Sequence, residues 1–232
     1  MLWSSLYEQD KSMQQNVVDK KELARLVASL GVAVPADVLE PLGIYLEMLC
    51  QWNRAMNLVG PRTWQGMLTR LVADSFHLAP FLCGLPLPPA PLTWDLGAGA
   101  GLPGIPLRML WCEGCYYMVE VREKRALFLS NVLSRMQLAC THVFRGPVER
   151  FFQEQGRQAD CIVSRAFMPW QQLLDLTLPH VQRKGHLVIL ALEAAPESLP
   201  APWRLAAQHR YVAAGSERWF WALSPGLPQN SL

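Results

Sequence analysis

Asp95 and the three glycines that follow it at alternate positions, Gly97, Gly99 and Gly101, are the residues of this 232-residue chain best spaced to do chemistry. They close an apolar run, Leu92 to Leu96, and lead through Leu102-Pro103-Gly104 into residues that suit a helix. The pattern predicts a buried strand, a tight turn and a helix N-terminus. Glycine tolerates positive φ and lets a ligand lie against bare backbone, while the first turn of a helix offers unpaired N–H groups. Asp95, at the strand's carboxyl end, is expected to point into the crevice where open α/β sheets take ligands. Gly99-Ala100-Gly101-Leu102-Pro103-Gly104 also matches the dinucleotide fingerprint G-x-G-x-x-G, which alone says little. An acid ahead of the glycines, and a further glycine two residues earlier, turn the pattern away from NAD.

Glu120 ends the next apolar run, Tyr116 to Glu120, twenty-five residues after Asp95. A carboxylate there is able to accept both hydroxyls of a ribose. The alternative is a surface ion pair with Lys124 on the following helix. Other chemistry-bearing residue types are less organised. His77, His142, His180, His186 and His209 are scattered, none at metal-ligand spacing, and are assigned structural roles. Cys112-x-x-Cys115 is half of a zinc site or a redox pair, but neither a second CxxC nor an HxxxH accompanies it. All six cysteines are therefore expected to be reduced, buried thiols, and no metal is expected.

The elements that must position these residues change character along the chain. With 51% hydrophobic and 17% charged residues the protein is globular, and a net charge of +2 permits a polyanionic partner without demanding one. A polar lead-in (1–18) precedes three helical stripes, from Lys20 to Leu30, Val34 to Leu58 and Thr63 to Leu82, which make a helical cap over 19–84. A connector with four prolines follows (85–91). Over 92–232 the pattern alternates, with strands near 92–96, 115–121, 140–145, 159–164 and 186–192. Helices are expected near 103–111, 123–137, 147–154 and 170–181. Such alternation implies a parallel sheet with right-handed crossovers and helices on both faces. A terminal antiparallel hairpin, Arg204 to Ala214 and Ser216 to Leu223, is expected to turn at Gly215-Ser216. The longest uncharged stretch, Ser75 to Trp94, is broken by five prolines and cannot span a bilayer as a helix. The N-terminus lacks the pattern of a secretory or transit sequence, so a soluble, cytoplasmic protein is expected; a monomer is expected as well.

Four stretches occur in order: Trp52-Asn53-Arg54-Ala55-Met56-Asn57-Leu58, Arg70-Leu71-Val72-Ala73-Asp74-Ser75, Asp95 through Pro106, and Val163-Ser164-Arg165-Ala166-Phe167. Together they resemble the RsmG (GidB) family of bacterial ribosomal RNA methyltransferases, over roughly residues 35–195. The resemblance implies an α/β, Rossmann-like class I fold dependent on S-adenosylmethionine. It also implies methylation of N7 of one guanine in 16S rRNA, with that RNA or a small-subunit precursor as partner. Carried over by motif, the cofactor site comprises Gly97, Ala98, Gly99, Gly101 and Leu102 of the loop. Asp95 would lie near the methionine moiety and Glu120 on the ribose, with Val148, Glu149 and Arg165 completing the site. Leu102 and Val148 are equally placed to be core residues. Arg70, Asp74 and Arg165 are expected around the target nucleotide, Arg70 on RNA phosphate and Asp74 holding the cap to the cofactor domain. The alternative for Arg70 and Asp74 is that they simply pair, being four apart on one helix face. Guanine N7 already carries a lone pair, so alignment suffices and no acid–base residue is required.

The chain also departs from that family. Leu71 stands where a histidine is expected after Arg70, and Pro147 where an arginine is expected after Gly146. Glu193, in Ala191-Leu192-Glu193-Ala194, replaces a lysine at the end of the fifth strand, and an acid there repels phosphate. Arg183-Lys184 in the preceding turn would compensate. These departures keep two alternatives open: an acceptor other than this guanine (another RNA position or a small molecule), and a catalytically weak RNA-binding relative. Arg122, Lys124, Arg125 and Arg135 form either an RNA-facing stripe or a solvated helix face.

Overall fold

The computed structural model describes residues 17–226, so the expected polar lead-in lies almost wholly outside the described residues. Three helical segments come first. Helix α1 (Lys20–Ala28) starts where the Asp19 side chain accepts the Glu22 N–H at 2.7 Å, an N-cap that satisfies one of the free amides of the first turn. Helix α2 (Leu39–Met56) buries Leu42, Tyr45, Leu46, Leu49, Cys50 and Asn53, the spacing of one helical face. The third segment is broken in its middle. It runs as α3 (Trp64–Met67), a π-helical turn (Leu68–Val72) and α4 (Ala73–Cys83). Arg70 falls within the π turn and is exposed, whereas Asp74 in the first turn of α4 is buried, and the two side chains form no ion pair.

The remaining chain alternates as the periodicity predicts: β1 (Leu92–Leu96), α5 (Gly104–Leu110), β2 (Cys115–Glu120), α6 (Glu123–Arg135), β3 (Thr141–Arg145), α7 (Val148–Gln155), β4 (Ala159–Arg165), α8 (Trp170–Thr177) and β5 (Val181–Ala191). The hairpin β6 (Trp203–Ala213) and β7 (Ser216–Pro225) ends it. One sheet of order β3-β2-β1-β4-β5-β7-β6 results, parallel through β5 and antiparallel at β7 and β6. This is a Rossmann-like α/β fold. The strand order reverses between β1 and β4, and ligands of such sheets bind at that switch point, beyond the strands' carboxyl ends.

Both sheet faces are covered. On one, Trp94 packs among Phe151, Phe152, Leu173, Leu174 and Trp221. On the other, the cap and α/β residues share a core in which Tyr45, Leu46, Phe76, Ile105, Phe128 and Leu129 are fully buried. Trp52 meets Phe128 edge-on at 5.6 Å between ring centres.

Two expectations are corrected. The hairpin turns at Ala214-Gly215, both at positive φ, rather than at Gly215-Ser216, because a two-residue turn matching the strand twist needs the left-handed region twice. The cysteines are not uniformly reduced and buried. Cys115 and Cys140 are joined in a disulfide, Cys83 and Cys112 are free and exposed, and only Cys50 and Cys161 fit the expectation. The register of β2 on β3 pairs Tyr116 with Thr141, which sets residues twenty-five apart in sequence side by side; linear spacing does not show this.

Candidate active site

The glycine loop lies across the end of β2, with the N–H groups of Gly97 and Ala98 both donating to the Val119 carbonyl, at 3.0 and 3.1 Å. Gly97 has φ +75°, and a Cβ there would press into the ring of Phe167, so any side chain is excluded from this position. Gly101, at φ +79°, is similarly closed by Ile105 and Leu129. From beneath, the Tyr45 hydroxyl of α2 donates to the Ala100 carbonyl at 2.9 Å. That phenol is wholly buried, and burial raises its pKa far above the ordinary range, so it remains a donor.

Asp95 belongs to the foundation of this loop. It is 1% exposed, accepts the Tyr116 hydroxyl at 3.1 Å, and sits close under Gly104, whose N–H it also accepts. Burial pushes its pKa up to about 7, against the Tyr116 and Gly104 hydrogen bonds, which pull it down. It lines neither of the two cavities at the loop. Glu120 faces the first of these. Its carboxylate accepts the Gly99 N–H at 2.9 Å and the Arg122 N–H at 2.8 Å, leaving further lone pairs free. The ion pair with Lys124 is not formed.

The first cavity, of about 220 Å³, is walled by Gly97, Glu120 and Arg122 on its polar side and by Val121, Val148 and Phe167 on its apolar side. The second, of about 280 Å³, lies between Gly97–Ala100, Leu102 and Arg165 below and Leu58–Gly60 of the cap above. Gly97, Arg125 and Ala166 border both, so the two are halves of one groove over the switch point. The cap's contribution is held by buried Asn53, whose side chain donates to the Pro61 carbonyl at 3.0 Å and accepts the Val59 N–H at 2.8 Å. A carboxylate with spare lone pairs, a bare glycine backbone and a flat apolar wall suit a nucleoside with vicinal hydroxyls.

Asp74, 2% exposed on α4, ties the cap to the sheet. It accepts Arg165 of β4 at 2.9 Å, Arg218 of β7 at 2.5 and 2.7 Å, and the Tyr211 hydroxyl of β6 at 2.9 Å. Two guanidiniums and a phenol compensate one buried carboxylate, which removes the cost of burying it alone.

Comparison with known proteins gives this groove a family. The family model for rRNA small subunit methyltransferase G, GidB, matches residues 38–202. The chain belongs to that family. A relative named ribosomal RNA small subunit methyltransferase G from Nitratidesulfovibrio vulgaris is 50% identical over 213 residues, 92% of this chain and 97% of the relative. One of the same name from Lawsonia intracellularis is 43% identical, covering 90% and 96%. Among solved structures, the putative methyltransferase yhhF from Escherichia coli superposes with a TM-score of 0.52 at 14% identity, covering 66% of this chain and 86% of that one. TrmN from Thermus thermophilus gives 0.51 at 17%, covering 66% of this chain and 48% of that longer one. Likeness at that identity establishes the fold alone; membership of the family makes the chain an rRNA methyltransferase.

Within this family member, the groove gathers Gly97, Ala98, Gly99, Leu102, Glu120, Val148 and Arg165. Gly101 and Asp95 support the loop without lining it, and Glu149 is exposed on the first turn of α7 outside either cavity. Arg70 is exposed, has no ion pair with Asp74, and gives its carbonyl to Arg218 at 2.8 Å. Glu193 is exposed just past β5, its carbonyl accepting the Trp221 indole N–H at 2.9 Å. Sequence reasoning missed Phe167 as a wall, Tyr45 as the loop's support, and Tyr211 and Arg218 as partners of Asp74. Phe167 ended a stretch that carried the family resemblance, and Arg125, which borders both cavities, was legible as a basic residue on the helix after β2.

Proposed function

We propose that the protein transfers a methyl group from S-adenosylmethionine to N7 of a guanine in 16S rRNA, in the cytoplasm, as a monomer and without a metal. The observation that carries this is the placement of the glycine loop at the switch point with Glu120 at the end of the neighbouring strand. Glu120 would take the ribose hydroxyls, Val121, Val148 and Phe167 the adenine, and Gly97 the close approach of the cofactor to the backbone. When bound, S-adenosylmethionine supplies an electrophilic methyl group. The chain's own residues need only hold the acceptor in line and exclude water, because N7 already has its lone pair. Arg165, fixed by Asp74, and the cap loop Leu58–Gly60 bound the half of the groove left for the guanine. The relatives are named for small-subunit ribosomal RNA, which supplies the substrate class. Exposed Arg70 would meet RNA phosphate.

The test is incubation with isotopically methyl-labelled cofactor and either naked 16S rRNA or small subunits, followed by nucleoside mass spectrometry. Label appearing in 7-methylguanosine is expected. Label in another nucleoside, or none with a folded protein, would refute the assignment. Calorimetric titration with S-adenosylhomocysteine, repeated on Gly97→Trp and Glu120→Ala, tests the cofactor site separately, and both variants are expected to abolish micromolar binding.

A further inference from the structure

The opposite end of the sheet carries a second cluster of reactive side chains. Cys115, at the amino end of β2, is bonded to Cys140, which precedes β3. The His142 ring nitrogen Nε2 lies 3.7 Å from the Cys140 sulfur, and among the described residues these three bring ligand-type atoms within 4.8 Å of one another. Cys140 and His142 are exposed and Cys115 is partly so. Cys112, three residues before Cys115, adds a free, exposed thiol to the same surface. Of the half-motif Cys112-x-x-Cys115, only Cys115 belongs to this trio.

Arg108 holds these loops in place independently of the disulfide. This guanidinium is 1% exposed and, among the described residues, has no carboxylate in ion-pair contact. It donates to the carbonyls of Trp111 at 2.8 Å, Glu113 at 2.7 Å, Cys112 at 3.1 Å and Gly114 at 3.2 Å in one loop. In the other it reaches the Ala139 carbonyl at 2.6 Å and the Thr141 hydroxyl at 3.2 Å. The Tyr116 N–H adds a bond of 2.9 Å to the Cys140 carbonyl. These bonds join the two loops through groups that reduction does not change, which would keep the two sulfurs near one another when the bond between them opens.

We propose that Cys115 and Cys140 form a reversible thiol–disulfide exchange site for small-molecule thiols and their disulfides. A thiolate attacks the exposed Cys140 sulfur; the Cys115–Cys140 bond breaks, and Cys115 departs as a thiolate and takes a proton. A second thiolate attacks the small-molecule sulfur of the mixed disulfide, releasing the small-molecule disulfide and the Cys140 thiolate, which takes a proton beside His142. The protein gains two electrons and two protons, and the two small thiols lose them. Oxidation by a small-molecule disulfide is the reverse. Exchange needs a sulfur that a thiolate can reach, which exposed Cys140 offers, and in the cytoplasm proposed above a disulfide is characteristically redox-responsive. The site stands apart from the glycine loop and does not depend on the proposed methyl transfer.

The full chain is equilibrated anaerobically at graded ratios of reduced to oxidised glutathione, approached from both directions, then alkylated and digested for mass spectrometry. Four alkylated cysteines and a peptide linked through Cys115 and Cys140 are expected at the oxidising end, and six alkylated cysteines at the reducing end. The oxidised form should melt roughly 5–10 °C higher, since the cross-link constrains the unfolded chain. Cys140→Ser, at an exposed position, should fold, lose the linked peptide and lose the shift, while Cys112→Ser should keep both. Six alkylated cysteines at every ratio, a linked peptide that excess glutathione never opens, or a wild-type melting shift in Cys140→Ser would overturn the proposal. So would stoichiometric zinc uptake by the reduced protein that blocks re-oxidation, which would make the trio a metal site instead.

Discussion

Asp95 shows how a single buried carboxylate can support a binding loop from beneath, through the Tyr116 hydroxyl and the start of α5. Its pKa of about 7 stands above the ordinary 3.8, so the folded protein holds a proton here that the unfolded chain releases. Its contribution to stability is therefore complete below the ordinary value and lost as pH rises through about 7. Chemical denaturation between pH 4 and 8 should show this loss, and Asp95→Asn should flatten it by on the order of 2–4 kcal/mol. An unchanged pH profile in the variant would exclude Asp95 as its source. The Tyr45 hydroxyl provides a complementary case. Tyr45→Phe keeps the ring among Leu46 and Phe128 and removes only the bond to the Ala100 carbonyl, which should cost about 1 kcal/mol in denaturant unfolding. The same variant should weaken S-adenosylhomocysteine binding by more than its small stability loss would, if that bond shapes the loop.

Among the elements, the broken third helix joins the cap to the sheet. Arg70 in its π turn remains exposed, while Asp74 at the start of α4 enters the interface with the sheet. The sheet answers with one basic or hydroxyl group from each of three strands: Arg165 from β4, Tyr211 from β6 and Arg218 from β7. Removing the carboxylate by Asp74→Ala leaves two arginines uncompensated in a partly closed space, and about 3 kcal/mol of stability should be lost on denaturant unfolding. Arg218→Met should cost less, because Arg165 still pairs Asp74. Equal losses would mean that the three groups act as a single unit.

For the whole molecule, the relevant balance is between a nearly neutral chain and a polyanionic substrate. With a net charge of +2, affinity for RNA must come from local clustering, and its logarithm should fall linearly with that of salt concentration. Arg70→Ala should reduce that slope by about one and weaken binding across RNA sequences alike, with S-adenosylhomocysteine affinity unchanged. Filter binding at several salt concentrations decides it, and an intact slope with lost cofactor binding would move Arg70 from the RNA face to the cofactor site.

The sequence by itself determined the alternation of strands and helices, because hydrophobic period and glycine placement are local properties. Asp95, the glycine loop and Glu120 were legible for the same reason: each stands at the end of a strand, where chain direction alone fixes its place in a parallel sheet. The tertiary structure decided which distant residues share a partner. Asp74 could be seen on its helix, but Tyr211 and Arg218 lie 137 and 144 residues away and met it only through the antiparallel turn-back of β6 and β7. Cys115 and Cys140 were likewise joined by strand register. Four-residue spacing allowed Arg70 and Asp74 to pair, but arginines of β4 and β7 pair Asp74 instead, an outcome settled only where the cap meets the sheet.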